Sequence, residues 1–330
     1  MAKMNWHITG YPYRVPISAG KYTIQENTYP LPTVIYSGNA YKASDIDLSS
    51  ILSETINVPD MSLNMSKSSH TSGGNTVKNI SIIDSANKTN TSEWVWGYDR
   101  SHLNYTDIEL LSDYITPEIY SGSIIPVTWI YTGDIRVDFK VSGRVIGTTL
   151  GDNTTTDTVI RTDTTRISKS LVAADNTPIK IIYNDAEELK NPLKYRSCIP
   201  PNTYTLYYIN LRGGLSMVHC TAKNTQKNSI TRNNYETETF NDRPYEFATK
   251  SYLNTVQRKW TLNTPILNSN QSTLIQDLFM SPRVWLYKIG SDPIAVNITD
   301  KEVEYKIKDN VRVLNYTIQI EESSKYNVFS

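Results

Sequence analysis

Four histidines (His7, His70, His102, His219) and two cysteines (Cys198, Cys220) are the residues of this chain best suited to metal binding or nucleophilic chemistry. Their spacing supports neither. No histidine stands at metal-ligand spacing from a second His or Cys. His219 and Cys220 are neighbours, so they point to opposite faces of any strand that holds them. A serine nucleophile favours a G-x-S-x-G turn, and no such stretch occurs. The glycine-rich "SGGN" and "LRGG" lack the Lys-Ser/Thr ending of a phosphate loop. "SDIDLSS" opens like a calcium loop, but the turn glycine is missing and Ile56 stands where a bidentate Glu belongs. Asp134 and Asp138 flank Arg136 on one side of a strand, which reads as a solvated charged face rather than a glycosidase pair.

One motif could bind without reacting. In "EWVWGY" the alternation of a strand puts Trp94, Trp96 and Tyr98 on one side, as in the stacking platforms that hold sugars. The competing reading turns that side into the core, where aromatic rings supply large apolar area, and it is the favoured one. Charge narrows the partners further. Lys plus Arg equals Asp plus Glu at 33 each, and the basic residues are scattered, against nucleic-acid specificity. No apolar run approaches the ~20 residues that cross a bilayer, so no membrane insertion is expected. The opening "MAKMNWHITG" has no apolar segment of a secretory signal, which predicts a chain used without Sec export. Two cysteines are no disulfide framework; plain buried thiols and a bridge between neighbouring strands both remain open.

The elements that would position these residues are mostly strands. Tyr outnumbers Phe 23 to 5, and the sequence is heavy in Thr, Asn and Ser, a mixture of strand formers and turn formers. Ile125, Val127, Trp129 and Tyr131 alternate, "TGD" follows, and Ile135, Val137, Phe139 and Val141 alternate again, which predicts an antiparallel hairpin with a polar outer face. Four stretches read as helical. "SDIDLSSILSETI" pairs Ser44 with Asp47 as a cap, and "TDIELLSDY" pairs Thr106 with Glu109. "NDAEELKNPLKY" holds one helical turn. The clearest is Ser269 to Met280, with Asn268 and Gln271 at its start, Leu274, Ile275, Leu278 and Phe279 on one face and Pro282 beyond its end. It is predicted to cover a sheet of residues 258–264, 283–289, 294–299 and 302–320, the last of these holding a hairpin around "KDN". Residues 61–78, 151–166 and 222–245 read as polar loops suited to docking. The fold class predicted is mainly β, antiparallel sandwich-like or barrel-like domains with a few short helices packed on sheets. Residues 1–190 form one β-rich domain and 191–330 a second with the helix near 269–280.

The second half carries a resemblance. "CIPPNTYTLYYINLRGGLSMVHC", "TRNNYETET", "RKWTLNTPILNSNQSTLIQDLFMSPRVWLYK" and "IAVNITDKEVEYKIKDNVRVLNYTIQIEES" follow one another as in virion proteins of tailed phages that infect Bacteroidetes, the crAss-like phages among them. There a strand running into Asn and a Gly-Gly pair precedes a polar segment, an "LNT" strand, a short helix over "SPxVxLY" and two closing strands. "VIYSGNAYKASDIDLSSIL" is similar to the front of such proteins. One departure stands after the glycines, where Leu215-Ser216 replaces a Trp-Asp type of continuation. The resemblance implies a non-enzymatic structural component of a tail or neck, a ring-forming homo-oligomer that touches neighbouring virion proteins, with no catalytic residue, cofactor or metal. It would assemble in the host cytoplasm and reside in the virion. A carbohydrate- or receptor-binding β-domain protein of the tail is the alternative, carried by Trp94 and Trp96.

Overall fold

The computed structural model describes residues 6–8, 14–27, 31–52, 56, 69–70, 77–95, 108–132, 135–141, 144–151, 158–167, 174–183, 186–187, 193–236, 249–300 and 314–329. They are overwhelmingly β-strand, as the composition implies. Four sheets of four or more strands and one two-stranded ladder account for them, with strands paired antiparallel except Trp6–Ile8 on Glu93–Val95 and Glu118–Tyr120 on Lys194–Arg196.

The central element is an eight-stranded sheet. Its path runs Leu215–Cys220, Tyr204–Ile209, Val284–Tyr287, Ile294–Ile298, Thr317–Glu322, Thr249–Asn263, Thr225–Glu236, with Tyr326–Phe329 added beside Thr249–Asn263. The first strands of this path are apolar on both faces, and alternation assigns each face to a different core. Tyr207, Ile209, Leu215, Met217 and Tyr287 face one core. Leu206, Tyr208, Val218, Cys220 and Leu286 face the other.

The first core is shared with the N-terminal half. It collects Ile24, Ile80 and Ile82 from a five-stranded sheet, Val137, Phe139 and Ile181 from a six-stranded one, and Ile125, Val127 and Trp129 from a four-stranded one. Leu193–Arg196 lies beyond residue 190 yet pairs with Glu118–Tyr120 and Pro178–Ile179, so the six-stranded sheet draws a strand from each side of that point.

The second core lies under the best-marked helix. Helix α2, Ser269–Phe279, has Asn268 as its cap: its side chain accepts from the Gln271 N–H at 2.9 Å while Gln271 reaches back to the Asn268 N–H at 2.8 Å. Ile275 and Leu278 are fully buried against Trp260, Leu262, Val284, Val296, Ile318 and Ile320, with Leu274 and Phe279 at the margin. Helix on sheet is thus the arrangement, and Thr317–Glu322 supplies the last predicted strand. The "KDN" hairpin lies outside the described residues.

Four local expectations are corrected. The strands Ile124–Thr132 and Ile135–Val141 do not pair with each other: the first joins Thr158–Arg166 and Ile108–Leu110, the second Arg144–Gly151 and Pro178–Tyr183. Residues 124–131 are buried throughout, which a hairpin with a wet outer face could not be. In "TDIELLSDY" Ile108–Leu110 is a strand, because Trp129–Tyr131 offers it a ladder worth more than a short capped helix. In "SDIDLSS" Ser44–Asp47 pairs with Arg14–Ile17, and helix α1 begins only at Leu48, ending at Leu52. Asp47, not Ser44, is its cap, accepting from the Ser49 N–H at 3.0 Å. Ala186–Glu187, in the predicted helical turn, pairs with Ile182–Tyr183 as strand.

Of the predicted docking loops, Thr158–Arg166 is a nine-residue strand and Thr225–Glu236 a twelve-residue one. The high Thr content of the first segment favours an extended chain once a partner strand is present.

Truncating Leu278 to Ala is expected to cost about 2–5 kcal/mol in urea unfolding, since the cavity forms between helix and sheet. Leu278→Asp is expected to leave the chain insoluble. A soluble Asp variant with the melting temperature of the parent would show that α2 does not rest on this sheet.

Candidate functional site

The structure brings together a polar cluster that none of the sequence motifs announced. It sits where Tyr204–Ile209 turns into Leu215–Cys220. Asn210 follows the first strand and is wholly buried. Its Oδ1 accepts from the backbone N–H groups of Arg212 at 3.0 Å and Gly214 at 2.8 Å, closing the turn from inside. Gly213 has φ +84°, a left-handed conformation in which a side chain is strained. Gly214 is needed for space, because a Cβ there would stand 2.3 Å from the Leu111 carbonyl oxygen.

The Nδ2 group of Asn210 faces the other way, toward the N-terminal half. It donates to Leu111 O at 2.6 Å, with Asp113 Oδ2 at 2.8 Å and Ser216 Oγ at 3.0 Å also in reach. Arg212 closes the cluster with a 2.6 Å ion pair to Asp113, both side chains mostly buried. Ser112 Oγ donates to Leu215 O at 2.7 Å and accepts from the Thr128 N–H at 2.8 Å. The Leu215 N–H in turn donates to Thr128 Oγ1 at 3.0 Å. Tyr114 bridges to Met217, and the His219 N–H donates to Thr116 Oγ1 at 3.0 Å. Residues 111–116 therefore run along the outer edge of Leu215–Cys220 and occupy its hydrogen-bonding groups. The arrangement is a clasp between the two halves of the chain.

A second group of titratable residues lies at the far end of the same edge. His219 is buried, with Nδ1 2.8 Å from Thr205 Oγ1, its ring edge-on to Tyr120, and Nε2 without a hydrogen-bond partner. Burial pushes the imidazole down to about 4 despite the nearby Glu118 carboxylate, so it is neutral at pH 7. Burial acting alone would raise Glu118, but hydrogen bonds from Arg196 at 2.7 Å and Tyr120 at 3.0 Å hold its carboxyl below the usual range. A general base must reach its substrate, and an imidazole 1% exposed behind Tyr120 has no such route. His219 packs one sheet on another.

The sequence-predicted positions are placed as follows. Trp94 is fully buried in the first core, its Nε1 donating to Ser92 Oγ at 2.8 Å, so it presents no face to a sugar. Trp96 and Tyr98 lie outside the described residues. Asp138 is not on a solvated face: it is 3% exposed, under Arg136 and bonded by Thr148 Oγ1 at 2.8 Å. Asp134 lies outside the described residues. Cys198 is exposed and Cys220 buried, both free thiols, the second pushed up to about 12 by burial. Among the described residues no cluster of three or more His, Cys, Asp or Glu side chains could hold a metal ion, and no helix is long and apolar enough to cross a membrane.

The cluster was nonetheless visible in outline. "NLRGG" reads as a failed phosphate loop when nucleotides are sought, but Asn, two residues and Gly-Gly is also the pattern of an Asn-closed turn. The acceptors on residues 111–113 carried no such signal, because that stretch read as helix.

Asn210→Asp keeps the turn-closing oxygen, loses both Nδ2 hydrogens and sets a carboxylate beside Asp113. Urea unfolding at pH 7 is expected to show a loss of about 3 kcal/mol, against roughly 1 for a typical exposed substitution. An unchanged midpoint would mean that the clasp contributes nothing to stability. His219 generates a separate expectation. Its folded value lies below the unfolded 6.5, so on acidification the unfolded chain takes up a proton that the fold refuses. Stability should fall between pH 6.5 and 4, by up to about 3 kcal/mol from this group, with the carboxylates adding their own loss below about pH 5. A pH series of unfolding free energies for the parent and His219→Gln checks this; parallel curves over that window would refute it.

No known protein family matches the chain. No curated protein is significantly similar to it.

Proposed function

We propose that this chain is a non-enzymatic structural component of a bacteriophage tail or neck, acting by holding further copies of itself and other virion proteins together. The observation that carries an assembly role is the ribbon of Thr225–Glu236 and Thr249–Asn263. These strands of 12 and 15 residues continue the central sheet well past its cores. Thr225–Tyr235 is exposed nearly throughout, and on the partner strand residues 253–258 are only half-buried, full burial beginning at Trp260. At about 3.4 Å per residue the first strand alone is some 40 Å long. A ribbon of so few strands, exposed along its outer strand, is marginally stable by itself and would gain stability from a partner.

The phage assignment rests on the order of segments in the second half, from the Asn-Gly-Gly turn through the "LNT" strand to the helix over "SPRVWLY". The turn and the helix in that order are the two features that organise the second half. Chains with this framework are expected to keep them whatever their loops do. Assembly in the host cytoplasm and residence in the virion follow from the same reading. The burial of Trp94 weighs against the sugar-binding alternative.

Native mass measured over a concentration series, with the same sample viewed by negative-stain electron microscopy, tests the proposal. Rings of fixed copy number, alone or on addition of the neighbouring virion proteins, are the expected result. A strict monomer under all of these conditions would end it.

A further inference from the structure

The two outer edges of the eight-stranded sheet differ. Leu215–Cys220 is covered by residues 111–116, whereas Thr225–Glu236 is the terminal strand at the other end and, among the described residues, pairs only with Thr249–Asn263. Every second N–H and C=O along it points at solvent, a row of donors and acceptors ready for another strand. Resting on the assembly role proposed above, we infer that this edge is a homotypic interface: Thr225–Tyr235 pairs antiparallel with the same strand of a second copy, about a two-fold axis at Ile230.

The occupant follows from self-complementarity. When a strand pairs antiparallel with its own copy, the outward-bonding residues of one must meet those of the other, so the sum of opposed residue numbers is even. Two registers align eleven residues, those centred on Ile230 and on Thr231. Centring on Thr231 sets Arg232 against Ile230 twice and brings the two Arg232 side chains diagonally together. Centring on Ile230 sets Ile230 on its own copy, Lys227 on Asn233 and Arg232 on Asn228, so each cation within the joint meets an amide.

Apolar continuity favours the same register. Ile230 is 55% exposed and stands opposite Val256 in the ribbon. Pairing at Ile230 joins Val256, Ile230 and their two copies into one strip across four strands. At the far end of the ribbon the exposed rings of Tyr235 and Tyr252 pack against each other, tilted, with centroids 6.2 Å apart, and would cover the ends of the joint. Lys227 and Arg232 discourage other registers and foreign edges, as charges on edge strands do. Eleven residues a side is below the ~20–30 of a standing interface, so the contact is expected to be concentration-dependent and to act alongside other contacts in an assembly.

Disulfide trapping in the full chain tests the register. In a Cys198→Ser background, Ile230→Cys puts two thiols on opposed residues, about 4.5–5.5 Å apart at Cα and within bridging range. Mild oxidation should give a covalent dimer. Gln226→Cys alone should stay monomeric in denaturing electrophoresis, yet link to an Asn234→Cys chain when the two are mixed. Equal linking by Gln226→Cys and Ile230→Cys would overturn the inference, as would no link at Ile230 in a chain whose native mass shows assembly. The latter result would leave the assembly role standing. A native mass that stays monomeric with and without other virion proteins would remove both. Ile230→Lys, an exposed change, should weaken dimerisation at least tenfold with the thermal midpoint unchanged; an unaltered dimer would count against the joint.

Discussion

The buried amide of Asn210 is the constraint from which most of this architecture follows. A sheet of apolar strands has two edges, and each edge exposes backbone groups that cannot be left unpaired once the flanking side chains are buried. Leu215–Cys220 is buried at every position, so its outer edge must be satisfied from within the chain. Asn210 does this indirectly. By closing its own turn with one atom and binding Leu111 and Asp113 with another, it brings residues 111–116 alongside that edge. Gly214 leaves room for the approach, and Arg212 neutralises the carboxylate that it buries. A polar cluster of this kind is stabilising only when complete, since each orphaned group costs about 1–3 kcal/mol.

Once the edge is closed, the sheet can be a middle layer. Its residues alternate between a core made with the N-terminal sheets and a core made with α2, so both faces need apolar side chains and the usual polar alternation disappears. Tyrosine serves this layer well. Tyr207 and Tyr287 bury their rings in the first core and pass their hydroxyls to the carbonyls of Ile124 and Gly122, at 2.8 and 3.2 Å. Each thereby fills volume and ties the layer to the strand beneath.

How much of this could be read beforehand depended on how local its cause was. Helix α2 was legible to within one residue because its cap, its apolar face and its terminating proline all lie within fifteen positions. The strands Ile124–Thr132 and Ile135–Val141 were legible as strands, but their partners were not. Alternation says which face is apolar, and nothing in it says whether a short connection keeps two strands in one sheet or sends them to facing sheets. Residues 108–114 were misread because a cap signal was present and the competing ladder comes from residues 128–131 and 215–217. Propensity yields to tertiary pairing in such short segments. Asn210 was seen only as part of a sequence pattern; its acceptors lie about a hundred residues away, beyond any local rule.

The same edge problem has been solved in opposite ways at the two ends of the sheet. At Leu215–Cys220 the side chains are apolar, an uncovered edge would recruit any exposed strand, and the cover is internal. At Thr225–Glu236 the side chains are mostly Thr, Asn, Ser and Gln with Lys227, Arg232 and Glu236 among them, Ile230 and Tyr235 being the exceptions, and such an edge can stay in water at little cost. Polarity makes the exposed edge tolerable in the single chain, and the spacing of the two cations restricts which strands can join it. An edge that is soluble alone, selective in register and long enough for eleven paired residues suits reversible assembly, where subunits must remain apart until they are concentrated at one place. Interfaces of lower polarity would bind more tightly, but they would do so before the proper neighbours had arrived.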